Sequence, residues 1–282
     1  MLQEKPKVSI IVRTCNRPQV LRSALLSVQA QTYSEIETVV IEDGKAAAKN
    51  MIQNEFPNMN ILYHATEEKV GRSKAGNLGL SISTGLYCNF LDDDDVLYPE
   101  HVETLVEALS NNHALAAYAI TEESQVVKKS NDPYRVIEKR RIIRYQQPFN
   151  KLLLLYTNYL PIQCVLFSRK LFEENGGLAE DMDALEDWDM WIRFALKSDF
   201  IYVPKVTSKY LVPYKSKNKS NRDQILKKAK KELEKKLGVY VLQTDVLTIN
   251  KEMDYIINQY KKRNFVIYLK KIRDYLLYRD IT

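Results

Sequence analysis

Four consecutive aspartates, Asp92 to Asp95, follow an apolar run, YCNFL, that predicts a β-strand. Neighbouring carboxylates repel one another: at an effective dielectric of about 20, two charges about 4 Å apart cost roughly 4 kcal/mol. A solvated acidic turn is one interpretation, and a bound divalent cation that relieves the repulsion is the other. The chain has only three scattered histidines, which disfavours zinc and favours an oxygen-liganded Mn²⁺ or Mg²⁺.

A second acidic cluster, LEDWDMWIR, spans residues 185–193 in a pattern typical of a helix. Asp187 and Trp191 share one side of that helix. Acidic residues in a first helical turn also complement the helix dipole, with the tryptophans then belonging to the core. The functional hypothesis is that Asp187 is a general base in a partly apolar pocket, with Trp188 and Trp191 as its walls.

The segment GRSKAGN, residues 71–77, lies where a nucleotide-binding loop is expected. It begins like a P-loop, but Asn77 stands where that motif requires Lys. The glycines also lack the G-x-G-x-x-G spacing of dinucleotide-binding loops and follow the third predicted strand, not the first. Kinase-like and dehydrogenase functions are therefore excluded. The cluster of glycines in a chain with only eight still indicates a sharp turn or a close ligand approach.

Five segments, in order, resemble the motifs of family 2 glycosyltransferases over about residues 5–215. The segments are VSIIVRTCNRP, VVIEDG, GRSKAGNLG, YCNFLDDDDVLYPEHV and GGLAEDMDALEDWDMWIRFA. The resemblance implies an α/β chain with the GT-A (Rossmann-like) fold, in which helices flank a mostly parallel sheet. It also implies an inverting, metal-dependent transfer of a hexose from a nucleotide sugar, expected to be UDP-linked, to an acceptor hydroxyl.

The same resemblance implies roles for individual residues. Asp94 with Asp92 would hold the Mn²⁺ or Mg²⁺, Asp187 would be the base, and Asp43 would hydrogen-bond the uracil. A donor or acceptor sugar pocket would contain Glu186, Trp188 and Trp191. The implied nucleotide-binding residues are Thr14, Asn16, Arg17, Asp43, Gly71, Lys74, Asn77, Asp92 and Asp93.

One departure from the family pattern concerns the loop that closes over the diphosphate. The stretch KYLVPYKSKNKSN has neither His nor Arg where many members carry such residues. Lys215, Lys217 or Lys219 could replace them, and a linker of solvated lysines is the alternative.

Two other functions compete with glycosyl transfer. A sugar-phosphate nucleotidyltransferase would share the sheet and the metal carboxylates, but it needs a glycine-rich basic loop after the first strand. The turn here is RTCNRP, which contains no glycine. A non-catalytic nucleotide-sugar-binding protein is the third option.

Hydrophobic periodicity predicts the elements that would position these residues. Residues 121–150 interrupt the alternation of strands and helices and predict a hairpin or loop, and Lys215–Arg222 predicts a linker. We expect a catalytic domain over residues 1–220, with a nucleotide half at about 5–120 and an acceptor half at about 121–220. Predicted strands are Val8–Val12, Ile36–Ile41, Ile61–Tyr63, Tyr87–Leu91, Ala114–Ile120, Ile162–Phe167 and Phe200–Val203. Predicted helices of this domain are Gln19–Ala30, Ala46–Phe56, Lys74–Ser83, Pro99–Ser110, Asn150–Asn158 and Asp187–Lys197. His101 is expected to face solvent.

The net charge of +6 is concentrated in residues 221–282, which hold 15 basic and 8 acidic residues, leaving 27 and 28 in the remainder. This extension predicts basic amphipathic helices up to Lys236, over Lys251–Lys262 and over Phe265–Tyr278. They could dock on the catalytic body, form a homodimer, or touch an anionic membrane. A nearly neutral body disfavours nucleic acid as a partner.

The three cysteines are widely spaced, which favours reduced thiols in a cytoplasmic protein. The N-terminal apolar run is too short for a signal peptide, and Leu152–Ser168 falls short of a membrane span. We expect a cytoplasmic location, with or without peripheral contact with the inner face of the membrane. Expected partners are the nucleotide-sugar donor and a glycan, glycolipid or glycoprotein acceptor in bacterial surface-glycan synthesis.

Overall fold

The computed structural model describes residues 5–131, 134–214 and 219–261. The strands are β1 (Val8–Thr14), β2 (Ile36–Glu42), β3 (Ile61–Ala65), β4 (Tyr87–Asp92), β5 (Val96–Leu97), β6 (Ala116–Asn131), β7 (Tyr134–Ile143), β8 (Val165–Ser168) and β9 (Phe200–Pro213). The helices are α1 (Pro18–Gln29), α2 (Lys49–Glu55), α3 (Arg72–Ile82), α4 (His101–Ser110), α5 (Lys151–Tyr156), α6 (Arg169–Asn175), α7 (Glu186–Ala195), α8 (Lys219–Leu237) and α9 (Val246–Lys261).

The strands form one sheet in the order β3-β2-β1-β4-β8-β6-β9-β5, with β7 paired to β6. The first four are parallel neighbours, and β6 and β9 are also parallel. Antiparallel pairs add β8, β7 and β5. The predicted α/β alternation and mostly parallel sheet are confirmed. Between β1 and β4 the strand order reverses direction, and open α/β sheets bind ligands outside the carboxyl ends of strands at such a point.

Burial on both faces explains why β1 is apolar along most of its length. All seven of its residues are buried, as expected for a parallel strand covered by helices on each side. Helix α1 begins with Pro18, a residue already suited to the first helical turn. Val12 of β1, Leu21 of α1 and Leu105 of α4 belong to the same core cluster. This packing fixes the end of β1, where the functional residues begin.

Helix α3 approaches the sheet too closely for a side chain at Gly79. A Cβ there would lie 2.4 Å from Cγ2 of Ile11 and 3.2 Å from Cγ1 of Ile41. We expect Gly79→Ala to lower the free energy of unfolding by about 1–2 kcal/mol, because overpacking outweighs the gain in helix propensity. Urea unfolding measures this, with Ser81→Ala on the exposed side of the same helix as control. A Gly79→Ala protein as stable as wild type would contradict the close approach.

Several predicted elements differ from the structure. Residues 162–164 form a 3₁₀ turn, so β8 starts only at Val165. The interrupting segment is an antiparallel hairpin of β6 and β7, which is one of the two forms predicted for it, whereas β9 is much longer than predicted. The linker prediction was wrong for residues 219–222, which begin α8, while residues 215–218 lie outside the described part.

The prediction that His101 faces solvent was wrong. His101 begins α4 with no exposed surface, and its Nδ1 lies 2.7 Å from Oγ1 of Thr207 on β9. Burial lowers the pKa of the imidazole to about 3. The sequence around Pro99 locates the helix start, but the long β9 that covers this residue was not predicted.

The chain divides into two compact units. Of the described residues, the larger contains those of 5–149 and 158–240, and the smaller contains 150–157 and 241–261. Within the larger unit, α8 buries Ala229 and Leu233. Its Lys228 and Lys236 form ion pairs of 3.0 and 2.6 Å with Asp183 and Asp181. This first helix of the basic extension therefore packs on the same unit as the sheet, and the predicted domain boundary at residue 220 stays a prediction.

In the smaller unit, Glu252 of α9 connects to the start of α5. Its carboxylate accepts a hydrogen bond from the backbone N–H of Leu152 at 2.8 Å, and its carbonyl accepts one from Nδ2 of Asn150 at 3.0 Å. The predicted helix Phe265–Tyr278 lies outside the described residues. Among the helices in the described ranges, none combines the length and the apolar character that crossing a bilayer demands.

Candidate active site

A cleft of about 260 Å³ lies where the carboxyl ends of β1 and β4 meet. The last residues of β1 and β4, the turns after β1, β2 and β4, and the start of α3 form its walls. The lining residues are Arg13, Thr14, Cys15, Arg17, Asp43, Arg72, Ala75, Asp92, Asp93 and Asp94. The cleft is therefore at the position where a doubly wound sheet binds its ligand.

Cations from β1 and the turn after it hold the first acidic cluster. Arg13 donates to Oδ1 of Asp92 from Nε at 2.9 Å and from Nη2 at 2.6 Å. Oδ2 of Asp93 accepts from Oγ1 of Thr14 at 2.7 Å and from Nε of Arg17 at 3.0 Å. Asp94 has a weaker contact, 3.4 Å from its Oδ2 to Nη1 of Arg17.

The carboxylates of this cluster are not fully compensated by these cations. Burial raises the pKa of Asp93 to about 7 despite the ion pair with Arg17, and burial also raises the pKa of Asp94. Asp95 is directed elsewhere: its Oδ1 accepts from the backbone N–H of Leu211 at 3.3 Å. Asp94 is therefore the cleft carboxylate with the fewest strong contacts, and it faces solvent with 37% of its side chain.

The donor set of the cleft fits a hard divalent cation. Its acidic groups offer oxygen ligands alone, and Mg²⁺ or Mn²⁺ is commonly held by one or two carboxylates together with substrate phosphates. Within the described ranges, no group of three or more His, Cys, Asp or Glu side chains is arranged to hold a metal on its own. Carboxylates that line the cleft and a substrate phosphate would together supply the oxygen ligands of such a cation.

Arg13 joins the two acidic clusters. Besides its hydrogen bonds to Asp92, its Nη1 lies 3.5 Å from Oε1 of Glu186, the first residue of α7. Arg72, at the start of α3, donates to the other oxygen of Glu186. Arg13 thus contacts Asp92 and Glu186, two residues of the predicted site that are 94 positions apart in the chain.

Asp187 is held beside this junction. Its Oδ2 accepts from Nδ2 of Asn158 at 3.2 Å, and its Oδ1 accepts from the backbone N–H of Trp188 at 2.8 Å. Burial, followed by the charge of neighbouring Glu186, raises the pKa of Asp187 to about 7. A carboxylate with a pKa near neutrality is well matched to general-base catalysis.

The two tryptophans pack in the core. Trp191 has no exposed surface, donates from Nε1 to the carbonyl of Leu160 at 3.1 Å, and packs edge-on against Phe167 and Phe200. A wholly buried indole offers no face to a sugar, so we treat Trp191 as a packing residue. Trp188 is 5% exposed and lies next to Asp187 in the chain.

Asp43 and Gly71 meet at the rim of the cleft. Asp43 accepts from the backbone N–H groups of Val70 at 2.6 Å and Gly71 at 3.0 Å, which fixes the loop before α3. Gly71 has a φ of 95°, a conformation that favours glycine. Asn16 also has a positive φ, 51°, and its side chain is exposed, like that of Lys74.

Asn77 faces away from the cleft. Its Nδ2 donates to the carbonyl of Leu178 at 2.9 Å and to Glu180 at 2.8 Å, while its Oδ1 accepts from the Leu178 N–H at 2.7 Å. The amide therefore fastens α3 to the loop before α7. Lys215 and Lys217 lie outside the described residues, as does the side chain of Lys219.

We expect Asn77→Ala to lower the free energy of unfolding by about 1–3 kcal/mol, because it leaves buried polar groups of the loop unpaired. The Kd for UDP should stay within about twofold of wild type. Thermal unfolding and calorimetry measure the two quantities, with Ser81→Ala as an exposed control on the same helix. A tenfold loss of UDP affinity at unchanged stability would instead make Asn77 a nucleotide ligand.

Sequence patterns did not single out two cleft residues, Arg13 and Arg72. Arg13 is the one charged residue in the strand VSIIVRT, and a buried charge implies a partner. Arg72 stands in the glycine-containing segment, two residues before Lys74, the cation that the family motif indicates. The partner of both arginines, Glu186, could not be inferred from local sequence.

The chain is similar in sequence to known proteins. A model of the family described as glycosyl transferase family 2 matches residues 9–176. Glycosyltransferase GlyA of Streptococcus pneumoniae is 40% identical over 105 residues, which are 36% of this chain and 15% of GlyA. The chain thus corresponds to a small part of that relative's length.

Two solved structures have a similar fold. S. aureus TarS 1-349 in complex with UDP has a TM-score of 0.67 at 15% identity. The match covers 92% of this chain and 73% of the TarS chain. The mannosyltransferase PcManGT from Pyrobaculum calidifontis, in complex with GDP-Man and Mn²⁺, has a TM-score of 0.61 at 18% identity. The match covers 86% of this chain and 67% of PcManGT. These similarities establish the GT-A architecture expected from the sequence.

Proposed function

The chain belongs to glycosyl transferase family 2, and from that membership we propose that it moves a hexose from UDP to an acceptor hydroxyl with inversion. The observation that carries the proposal is the position of Arg13, which contacts Asp92 of one acidic cluster and Glu186 of the other. This shared contact supports a single cleft that donor-side and acceptor-side groups would border.

The donor would lie along the ends of β1 and β4. Arg17 is 47% exposed and faces the cleft, where its guanidinium can exchange part of its contact with Asp93 for a diphosphate. Asp43, at the rim, would accept a hydrogen bond from a uracil N–H. Binding of UDP by TarS, a protein of similar fold, supports this choice of nucleotide.

Asp94, assisted by Asp92, would hold a Mn²⁺ or Mg²⁺ ion. When bound, the ion would neutralise the charge that develops on the leaving diphosphate. The complex of PcManGT with GDP-Man and Mn²⁺ supports such a cofactor. Arg17 would add a second positive group on the same side.

Asp187 would act as the base. It would take the proton of the acceptor hydroxyl while that oxygen attacks the anomeric carbon from the face opposite the diphosphate. A bond forms between the acceptor oxygen and the anomeric carbon, and the bond from that carbon to the diphosphate oxygen breaks. Asn158 would orient the carboxylate through its contact with Oδ2.

The acceptor is proposed to be a glycan, glycolipid or glycoprotein of bacterial surface-glycan synthesis, glycosylated at the cytoplasmic side. The helices that follow residue 240 would supply a dimer contact or a peripheral contact with anionic lipid. The neutral charge balance of residues 1–220 disfavours nucleic acid as a partner.

A panel of nucleotide sugars, each with Mn²⁺, tests the proposal by calorimetry and by release of the nucleoside diphosphate. We expect a UDP-sugar to bind and to be slowly hydrolysed without acceptor. Formation of pyrophosphate from UTP and a sugar 1-phosphate would instead indicate a nucleotidyltransferase. Tight UDP binding with neither hydrolysis nor transfer for any donor or acceptor would indicate a non-catalytic protein.

A further inference from the structure

A second cavity, of about 420 Å³, lies between the β6–β7 hairpin and the end of β9. We call it the hairpin cavity. It has an apolar part and a cationic part, and its lining residues are Val126, Val127, Lys128, Lys139, Pro213 and Tyr214. Its volume is within the range of small-molecule sites, which is about 300–1,000 Å³.

The pairing of β6 with β7 is irregular near the two lysines that line the cavity. Between Gln125 and Val126 the pairing partner changes from Arg140 to Glu138, which leaves Lys139 as an extra residue on β7. Such a bulge redirects a side chain, and Lys139 lines the cavity. Lys128 is placed from the opposite strand, with its Nζ 5.7 Å from the centre of the Tyr134 ring.

The positive charges of Lys128 and Lys139 are not balanced by an acidic side chain among the described residues that line the cavity. Glu138, beside Lys139 in the chain, is engaged by Arg141 and by the hydroxyl of Ser124. Neither cavity lysine has an ion pair with a carboxylate in the described ranges. Two uncompensated ammonium groups match the charge of one phosphate monoester, about −1.5 to −2 at pH 7.

The hairpin cavity is close to the proposed reaction site. The backbone N–H of Leu211 on β9 donates to Asp95, next to the proposed metal ligand Asp94. Pro213 is two residues further along the same strand, a distance of roughly 7 Å. Tyr214 is 44% exposed, and its ring together with Val126 and Pro213 offers an apolar surface beside the lysines. A sugar ring carrying a phosphate has matching apolar and anionic parts.

We propose that the hairpin cavity binds a phosphate monoester on the acceptor, with the adjoining sugar against Tyr214. The proposal deepens the proposed function and rests on it, since it assigns the acceptor to phosphate-bearing glycans. Lys128 and Lys139 would determine this specificity, and we expect the affinity for UDP to be independent of them.

The test uses the full chain saturated with UDP and Mn²⁺, titrated in a calorimeter at low ionic strength with glucose 6-phosphate, glucuronate and glucose as probes. We expect glucose 6-phosphate to bind at least tenfold more tightly than either other probe. The double variant Lys128→Gln/Lys139→Gln should lose at least tenfold of this affinity. The matched control Lys129→Gln/Arg140→Gln removes two neighbouring exposed cations that do not line the cavity, and it should stay within about twofold of wild type.

An equal loss of glucose 6-phosphate affinity in both double variants would overturn the proposal. The binding would then arise from the general positive charge of the hairpin and not from the two cavity lysines. Equal affinity for glucuronate would overturn the assignment to phosphate, and displacement of UDP by glucose 6-phosphate would place the probe in the donor cleft. The UDP affinity of each variant is measured in the same samples. If UDP binds but the phosphate preference is absent, the acceptor inference fails and the proposed function stands; if UDP itself does not bind, the proposed function fails.

Discussion

Asp187→Asn is expected to slow sugar transfer by about 10²- to 10⁴-fold, the usual contribution of a general base. The amide of Asn preserves the shape of the carboxyl group but cannot take the proton of the acceptor hydroxyl. An amide oxygen can still accept the hydrogen bond from the backbone N–H of Trp188, so the start of α7 should keep its position. Single-turnover transfer from UDP-sugar to acceptor measures the effect.

UDP affinity in the presence of Mn²⁺ should remain near the wild-type value in Asp187→Asn, because the proposed base would contact the acceptor hydroxyl and not the nucleotide. Asp183→Asn is the matched control: it removes an exposed carboxylate four residues earlier, and transfer should persist. Unchanged transfer by Asp187→Asn would remove Asp187 from the role of base.

The pH profile of the wild-type enzyme gives an independent check on the same residue. A base works only when deprotonated, and burial raises the pKa of Asp187 to about 7. Therefore kcat at saturating donor should fall about tenfold per pH unit below roughly pH 7. Burial also raises the pKa of Asp93 to about 7, so UDP affinity must be measured at each pH. A kcat that is constant from pH 5 to 8 would contradict a base with this pKa.

Asp94→Asn is expected to weaken UDP binding in the presence of Mn²⁺ by at least tenfold. The substitution would remove the charged oxygen that we propose as a metal ligand, which lies in the cleft 3.4 Å from Nη1 of Arg17. With EDTA in place of Mn²⁺, the mutant and the wild type should bind UDP equally, which separates metal binding from direct contact. Equal affinity of the two proteins in Mn²⁺ would exclude Asp94 as a metal ligand.

Patterns in the local sequence predicted the strands, helices and turns whose formation depends on residues close together in the chain. Strand β1, helix α1 and the acidic turn after β4 follow from apolar runs, from Pro18 and from the change to charged residues at Asp92. The carboxyl ends of parallel strands share one edge of a sheet, so the proximity of the turns after β1 and β4 follows from the predicted strand–helix alternation.

Other features depend on contacts between distant segments, and sequence patterns did not predict them. Asn77 resembles a nucleotide ligand in its motif, yet it binds a loop about a hundred residues later in the chain. His101 is covered by a strand, β9, whose length was underestimated. The partner of Arg13 on α7, Glu186, likewise depends on how the complete sheet brings α7 to the end of β1.

A crystal structure of the protein with UDP and Mn²⁺ would show whether both acidic clusters serve one cleft. We expect a Mn²⁺ ion bound by the Asp94 carboxylate and the diphosphate at the ends of β1 and β4. We also expect Asp187 to face the open side of that diphosphate. Density for UDP away from these strands, or an Asp187 carboxylate directed away from the bound nucleotide, would contradict this expectation.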